Sequence, residues 1–403
     1  MPFSKRTAWN TEESALSGAH RERVAARLPL ADLTASNPTR CGLIYDSQLL
    51  RPLTDVRALD YDPQPLGLLA ARQAVCQYYG DHGVELSPDR VVLTTSTSEA
   101  YSFLFRLLCD PGSEILVPQP GYPLFDFLAV LDVVRIKPSP LVYDHGWQID
   151  LEAFRRAISE NTRAIVLVHP NNPTGQFTKR WEAEELARLC REYGIALIVD
   201  EVFLDYKFGE DQPVEEQTQS FASGLEGVDV YTVSGLSKIA GLPQMKAAWI
   251  AATGPHASQA MTLLEVIADT FLSMNAPIQR AIPAWLSGRQ QIQLQISDRV
   301  TTNLAELDRQ LANLDIVRRL RIEGGWYAIL RIPALQPDEV TVLQLLERGV
   351  WVHPGYFFGM KETGWLVLSL LTPIEEFRTG VQAIVYYFRT HQPDNNCLVT
   401  VKL

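Results

Sequence analysis

The chain is short of what a metal centre or a disulfide framework needs. Its five cysteines, Cys41, Cys76, Cys109, Cys190 and Cys397, are odd in number, widely scattered and never paired as C-x-x-C. That usage fits reduced, structural thiols rather than a disulfide scaffold. The seven histidines are equally dispersed and form no H-E-x-x-H, so no metal site is expected. No apolar run approaches the roughly 20 residues of a membrane helix. The opening MPFSKRTAWNTEESAL has no apolar stretch leading to a small-residue cleavage site, and the expectation is a cytoplasmic protein without membrane contact. No block of Lys and Arg offsets a formal net charge of -11 and a pI near 5.2, a balance that repels nucleic acid and anionic lipid. Also missing are G-x-x-x-x-G-K-[ST], G-x-S-x-G, an S-x-x-K at Lys238 (Gly235 stands three residues before it) and a dinucleotide fingerprint, which sets aside the active sites those patterns carry. Low-complexity tracts and repeats of fixed period are absent too.

What is present is an average soluble composition, 46% apolar and 21% charged over 403 residues, long enough for roughly two to three domains and a large core. From about residue 90 to 250, the runs RVVLTT, SEILVP, DVVRIK, RAIVLVHP, IALIVD, VDVYTVS and AAWIA alternate with helical patterns such as EAYSFLFRLLC, LFDFLAVL and KRWEAEELARLCREYG, the last stopped by Gly194. Strands this apolar, without strict alternation, are buried on both faces. The order predicts an α/β fold, with a mostly parallel seven-stranded sheet flanked by helices and function at the carboxyl ends of its strands. Residues 254–313 read as mainly helical. Beyond them VRRLRIEGGWYAILRIP, LQLLERG, VWVHPG, WLVLSLL and a helix near 374–389 predict a smaller α/β unit. The expected division is 1–50 as an N-terminal segment packing on the small domain, 51–290 as the large domain and 291–403 as the small C-terminal domain.

Four stretches carry chemistry. In TTSTSEA, Ser96 and Glu99 fit a capping box that leaves the Thr97 and Ser98 amides at the positive end of a helix, an anion site or a plain cap. HPNNPTG, residues 169–175, is a rigid turn at a strand's carboxyl end from which Asn172 can direct its amide into a cleft. Asp200 ends the apolar strand IALIVD, where an acid is either a cap or the partner of a buried cation. Lys238, in SGLSKIAGLPQMK, has no acid within eight residues on either side, while Lys246 follows at an interval of eight. A lysine held near apolar groups and another cation loses proton affinity and becomes a usable nucleophile. Nearby Glu201 and Asp205 read as structural, one capping backbone and one solvated. An anion cradle, an amide turn, an acid for a ring nitrogen and an amine for a Schiff base together are the needs of pyridoxal phosphate.

On these motifs the chain resembles the class I/II aminotransferases of pyridoxal phosphate fold type I, aspartate aminotransferase-like, from about Asp32 to the last helix. The resemblance implies a homodimer and assigns the catalytic roles. Lys238 forms the Schiff base and then acts as general base, Asp200 pairs with the pyridine nitrogen, and Tyr122 of PGYP stacks on the ring. Asn172 then bonds the phenolic oxygen and faces the substrate. Thr97, Ser98, Ser237 and Lys246 match phosphate-binding positions, and Tyr61 of YDPQPLG matches a tyrosine that reaches the neighbouring subunit's phosphate. Asn37 of SNPT belongs to a segment brought over the substrate, an amino donor or a carbonyl acceptor.

Three positions depart from the family's pattern. Lys246 replaces an arginine, which keeps a charge for phosphate but not a bidentate fork. Phe203 replaces a tyrosine that touches the phenolic oxygen, which predicts altered titration of the Schiff base without collapse of cofactor binding. Val367 of WLVLSLL stands where an arginine clamps the substrate α-carboxylate. Either another cation, Arg40 beside Asn37, supplies the clamp, or the substrate has no α-carboxylate there, as in an amine, an amino alcohol or an ω-amino acid. A lyase or decarboxylase on the same scaffold is the alternative enzyme class. A regulatory module is a third, disfavoured because no basic helix-turn-helix segment precedes residue 32.

Overall fold

We describe a computed structural model at residues 3–208, 218–272 and 274–391; Cys397 lies outside the described residues. The chain divides into two units. One comprises residues up to Asn10, Asn37–Asp298 and Arg321–Trp326; the other comprises Thr11–Ser36, Arg299–Leu320 and the chain from Tyr327 onward. The first 50 residues are therefore shared, with cuts after Asn10 and after Ser36.

The first unit is built on one sheet, whose strands in chain order are β1 Val91–Thr94, β2 Glu114–Gln119, β3 Arg135–Tyr143, β4 Trp147–Ile149, β5 Thr162–Val168, β6 Ala196–Asp200, β7 Val230–Gly235 and β8 Ala248–Thr253. Their spatial order is β1-β8-β7-β6-β5-β2-β3-β4. All seven expected strands are there. The eighth is the three-residue β4, which folds back antiparallel on the end of β3. β8 and β4 run against the other six.

Alternation along these apolar strands feeds two cores. Val92, Ile250 and Ala252 join Phe103, Leu104, Met261 and Leu264 in one cluster. Val91, Leu93, Trp249 and Ala251 join Tyr78, Tyr79, Ile282 and Trp285 in the other. A helix-bearing layer therefore covers each face, and each fully buried large side chain contributes about 1.5–3 kcal/mol. The three helices expected between the strands are present, as Thr97–Leu108, Leu124–Leu131 and Arg180–Tyr193, and Leu69–Asp81 and Leu151–Ala157 add two that were not expected. Arg180–Tyr193 ends on Gly194, whose φ of 63° is the left-handed cap that glycine takes without steric cost. Asp205, expected in solvent, is instead tied down: the Tyr78 hydroxyl donates to it at 3.0 Å and His82 lies 3.3 Å away. Packing of helix Leu69–Asp81 onto the sheet, not visible in local sequence, makes that contact.

The segment Arg321–Trp326 is stapled to the turn after β5. The Glu323 carboxylate accepts from the Phe177 amide at 2.9 Å and pairs with the Lys179 ammonium at 2.5 Å, both side chains about one-tenth exposed. The Glu323 amide donates to the Gly175 carbonyl at 3.2 Å. Backbones approach so closely that a Cβ on Gly175 would run into the Gly324 carbonyl, and one on Gly324 into that of Tyr206.

In the second unit, a four-stranded antiparallel sheet runs in the order Arg318–Arg319, Tyr327–Arg331, Trp365–Ser369, His353–Pro354. Ala31–Asp32 pairs in parallel with Val350–Trp351, beside helices Ala15–Ala25, Asp338–Glu347 and Ile374–Thr390. Among the described residues, no helix is long and apolar enough to cross a membrane, and Cys41, Cys76, Cys109 and Cys190 form no disulfide.

The staple sets a stability test. Lys179→Met leaves the Glu323 carboxylate buried without its cation, and the expected cost of about 3–5 kcal/mol will read as a lower urea midpoint at unchanged slope.

Candidate functional site

The carboxyl ends of β1, β5, β6 and β7 deliver the residues singled out in the sequence. Past β1 the chain enters helix Thr97–Leu108, where the Ser96 hydroxyl accepts the Glu99 amide at 3.1 Å. The Glu99 carboxylate reaches one residue further back than a simple capping box requires, taking the Thr95 amide at 2.6 Å and its hydroxyl at 3.0 Å. The first amides of the helix, those of Thr97 and Ser98 among them, have no intrahelical acceptor and carry the positive end of the dipole.

One turn along the same helix, the buried Tyr101 hydroxyl donates to Asp200 Oδ2 at 3.1 Å, while the Val202 amide donates to Oδ1 at 3.1 Å. Asp200 closes β6 between β5 and β7, level with Val168 and Val233. Burial pushes its carboxyl up to about 6, against the pull of those two donors and of the Lys238 charge. Its neighbour Glu201, also fully buried, caps backbone as expected, accepting the Phe221 amide at 2.6 Å and the Ser220 hydroxyl at 2.9 Å.

After β5, the two asparagines of HPNNPTG divide the work. Asn171 spends its side chain inside the turn, accepting the Thr174 hydroxyl at 2.9 Å. Asn172 is buried, yet its Oδ1 has no hydrogen-bond partner. His169 fixes the base of the turn through the Thr178 amide at 3.2 Å and the Thr218 carbonyl at 3.0 Å. Burial pulls its imidazole down to about 4.

Lys238 sits in the one-turn helix Leu236–Ile239 directly after β7. Its carbonyl accepts the Tyr206 hydroxyl at 2.6 Å, and its Nζ lies 4.9 Å from the centroid of Trp326 and 5.8 Å from that of Phe203. Burial lowers the amine to about 8, with the Asp200 charge the main opposing pull. Ser237 is half-buried beside it. Lys246 is exposed and held at φ 50° after the turn Pro243–Met245, a left-handed backbone that costs a lysine roughly 1–2 kcal/mol.

The remaining candidates lie further out or elsewhere. Tyr122 follows β2, two-fifths exposed and edge-on to Phe125 at 5.8 Å. Asn37 caps the turn Pro38–Arg40 through the Thr39 amide at 3.1 Å, and Arg40 is exposed. Tyr61 is 83% exposed. Val367 belongs to the second unit and is buried mid-strand. Four further residues of the site carried no mark in the sequence: Tyr101, inside EAYSFLFRLLC; Tyr206, six residues past Asp200; Trp326, whose signal was GGWY; and Ser234, whose buried hydroxyl has no partner.

The sequence profile described as "Aminotransferase class I and II" matches residues 58–384. Nicotianamine aminotransferase 1 of Oryza sativa subsp. japonica is 27% identical over 348 residues, 83% of this chain and 69% of that protein. An S-alkyl-thiohydroximate lyase of Arabidopsis thaliana is 32% identical over 225 residues, 55% of this chain and 48% of that protein. The structure of an alanine aminotransferase from Pyrococcus furiosus superposes with a TM-score of 0.86 at 24% identity, covering 96% of this chain and all of the other; that likeness is one of fold.

The coupling of Asp200 and Lys238 is open to direct titration. The pH midpoint for trinitrophenylation of Lys238, followed by peptide mass spectrometry on ligand-free protein, is expected near 8. Asp200→Asn removes the anion that holds the ammonium, so the midpoint will move lower; an unmoved midpoint would show the two charges to be independent.

Proposed function

We infer the function of this chain from one premise: it belongs to the aminotransferase class I and II family. It is an aminotransferase, moving an amino group from an amino donor to a keto acid or aldehyde. The cofactor we propose is pyridoxal phosphate, seated at the carboxyl edge of the large sheet. The observation that carries this reading is that a desolvated amine, Lys238, and a buried acid, Asp200, emerge at the ends of adjacent strands, where each feels the other's charge. The chain's polar groups fit the cofactor: Asn172 Oδ1 and the Ser234 hydroxyl are buried without partners, a cost that an arriving polar ligand relieves.

When bound, pyridoxal phosphate supplies an aldehyde to capture the amino group and a ring to accept the electrons of a broken Cα–H bond. Asp200 holds the proton on the ring nitrogen, helped by the Tyr101 and Val202 donors that steady its charge. Lys238 would carry the proton at the substrate Cα, and an amine lowered to about 8 has a usable basic fraction near neutral pH. The amides of Thr97 and Ser98, with Ser237 and Lys246, take the phosphate; Tyr122 covers the ring and Asn172 meets the phenolic oxygen. Phe203 gives that oxygen no hydroxyl, and Tyr206 cannot substitute while its own hydroxyl serves the Lys238 carbonyl.

The working form is a homodimer in the cytoplasm. Ile44, Val56, Leu59 and Tyr61 are all at least three-quarters exposed in the single chain, an apolar surface that suits burial against a second copy. In that dimer Tyr61 serves the neighbour's phosphate. The likeness to the lyase, over about half of each chain, keeps one rival chemistry in view: a lyase releases product with its cofactor aldehyde restored, whereas a transaminase given donor alone keeps the amine.

Borohydride reduction of the cofactor-loaded protein should place a pyridoxyl mass on the Lys238 peptide. A different labelled lysine, with colour and activity intact, would overturn the assignment. Tyr61→Phe should sediment as a dimer yet bind pyridoxal phosphate about tenfold more weakly, the weight of one hydrogen bond to a charged group, read by absorbance titration.

A further inference from the structure

The last helix of the second unit, Ile374–Thr390, carries both of its acids, Glu375 and Glu376, in the first turn and none from Thr379 onward. Its apolar side, with Phe377, Val381, Ile384 and Phe388, is buried. Arg378, Gln382, Val385 and Arg389 recur at intervals of four, three and four, which sets them in one line along the helix. Arg378 and Arg389 are three turns apart, roughly 16 Å of helix. The end of helix Gln290–Leu311 brings Arg309 and Gln310 beside this line, and Asn313 follows. The Gln310 amide donates to the Arg378 carbonyl at 3.0 Å. Between the two helices these side chains line a groove of about 430 Å³, wholly within the second unit. A space of that size suits a small molecule.

Three guanidiniums face two acids here. Half-buried Glu306 is shared: Arg309 forks onto it through Nε and Nη2, both at 2.7 Å, the Gln310 amide donates at 2.8 Å, and Arg378 Nε lies 3.6 Å away. The Arg309 fork, the Gln310 amide and the charges of both arginines pull its carboxyl down to about 2, so it is ionised and already taken at pH 7. Glu375 accepts from Arg378 Nη1 at 2.7 Å but is 80% exposed, where an ion pair contributes little. The Arg389 guanidinium and the side-chain amides of Asn313 and Gln382 have no partner among the described residues. On a chain of net charge -11, the groove therefore holds a local surplus of positive charge, with unused N–H donors on both of its sides.

We propose that this groove binds a small anion carrying two or more linked phosphate groups. Planar guanidinium forks match phosphate oxygens bidentately, as ammonium groups do not. Arginines spaced along a helix suit charges spaced along a polyphosphate chain better than one compact ion. Val385 alone among the lining residues is apolar, so an acidic peptide would find no pocket for an anchoring side chain. The inference is independent of the chemistry proposed for Lys238 in the first unit.

Equilibrium dialysis of the cofactor-loaded full chain against inorganic tripolyphosphate tests this. One ion should bind per chain, more weakly as salt is raised, and orthophosphate should bind about tenfold less tightly. Arg389→Gln should weaken tripolyphosphate binding by about tenfold or more, the weight of hydrogen bonds to a charged group; with no partner to lose, this variant should melt like the wild type. Lys361→Gln makes the same change of charge at an exposed site of the same unit outside the groove and should leave binding unchanged. A nucleoside triphosphate separates two sources of the phosphate chain: tighter binding than tripolyphosphate assigns the site to a nucleotide, and equal or weaker binding assigns it to the phosphate chain alone. The proposal is overturned if tripolyphosphate does not bind, if orthophosphate binds as tightly, if a tetraglutamate peptide binds more tightly, or if Arg389→Gln and Lys361→Gln have equal effects.

Discussion

Two opposite charges taken out of water at the ends of neighbouring strands are what the large unit is organised around. Burial drives the Asp200 carboxyl up to about 6 and the Lys238 amine down to about 8, and each charge partly restores the other. Neither would be tolerated alone in an interior this apolar. The surroundings act on both: Tyr101 and Val202 donate to the acid, Tyr206 fixes the lysine's backbone, and Trp326 and Phe203 lay ring faces against the ammonium. Such faces attract a cation while excluding water, which keeps the amine placed but easily deprotonated.

That arrangement depends on a segment distant in sequence. Trp326 reaches Lys238 because Glu323 is pinned by Lys179 and the Phe177 amide, and because glycines at 175 and 324 let three stretches of backbone touch. The turn that presents Asn172 is held by the same staple. His169 and Asn171 spend their side chains on backbone and turn, which leaves Asn172 as the amide without an internal acceptor role.

The departures from the family's pattern share a direction. Phe203 in place of a tyrosine removes a hydroxyl, and Val367 in place of an arginine removes a charge, while the neutral His353 stands beside it with an unused nitrogen.

Local sequence determined the strands, because runs such as IALIVD and VDVYTVS are too apolar to lie anywhere but inside a sheet. It determined the helix stop at Gly194 and the cap at Ser96, whose causes span four residues or fewer. It also marked Lys238, Asp200 and Asn172, since their flanking strands and turns fix where they emerge. Tertiary structure decided what no window could hold: that Tyr101 serves Asp200 from 99 positions away, that Asp205 is locked by Tyr78 and His82 instead of hydrated, that Trp326 faces the lysine, and that His353 falls opposite Val367. These contacts follow from strand order, register and chain crossing, and such long-range pairings leave no periodic trace in the residues that make them.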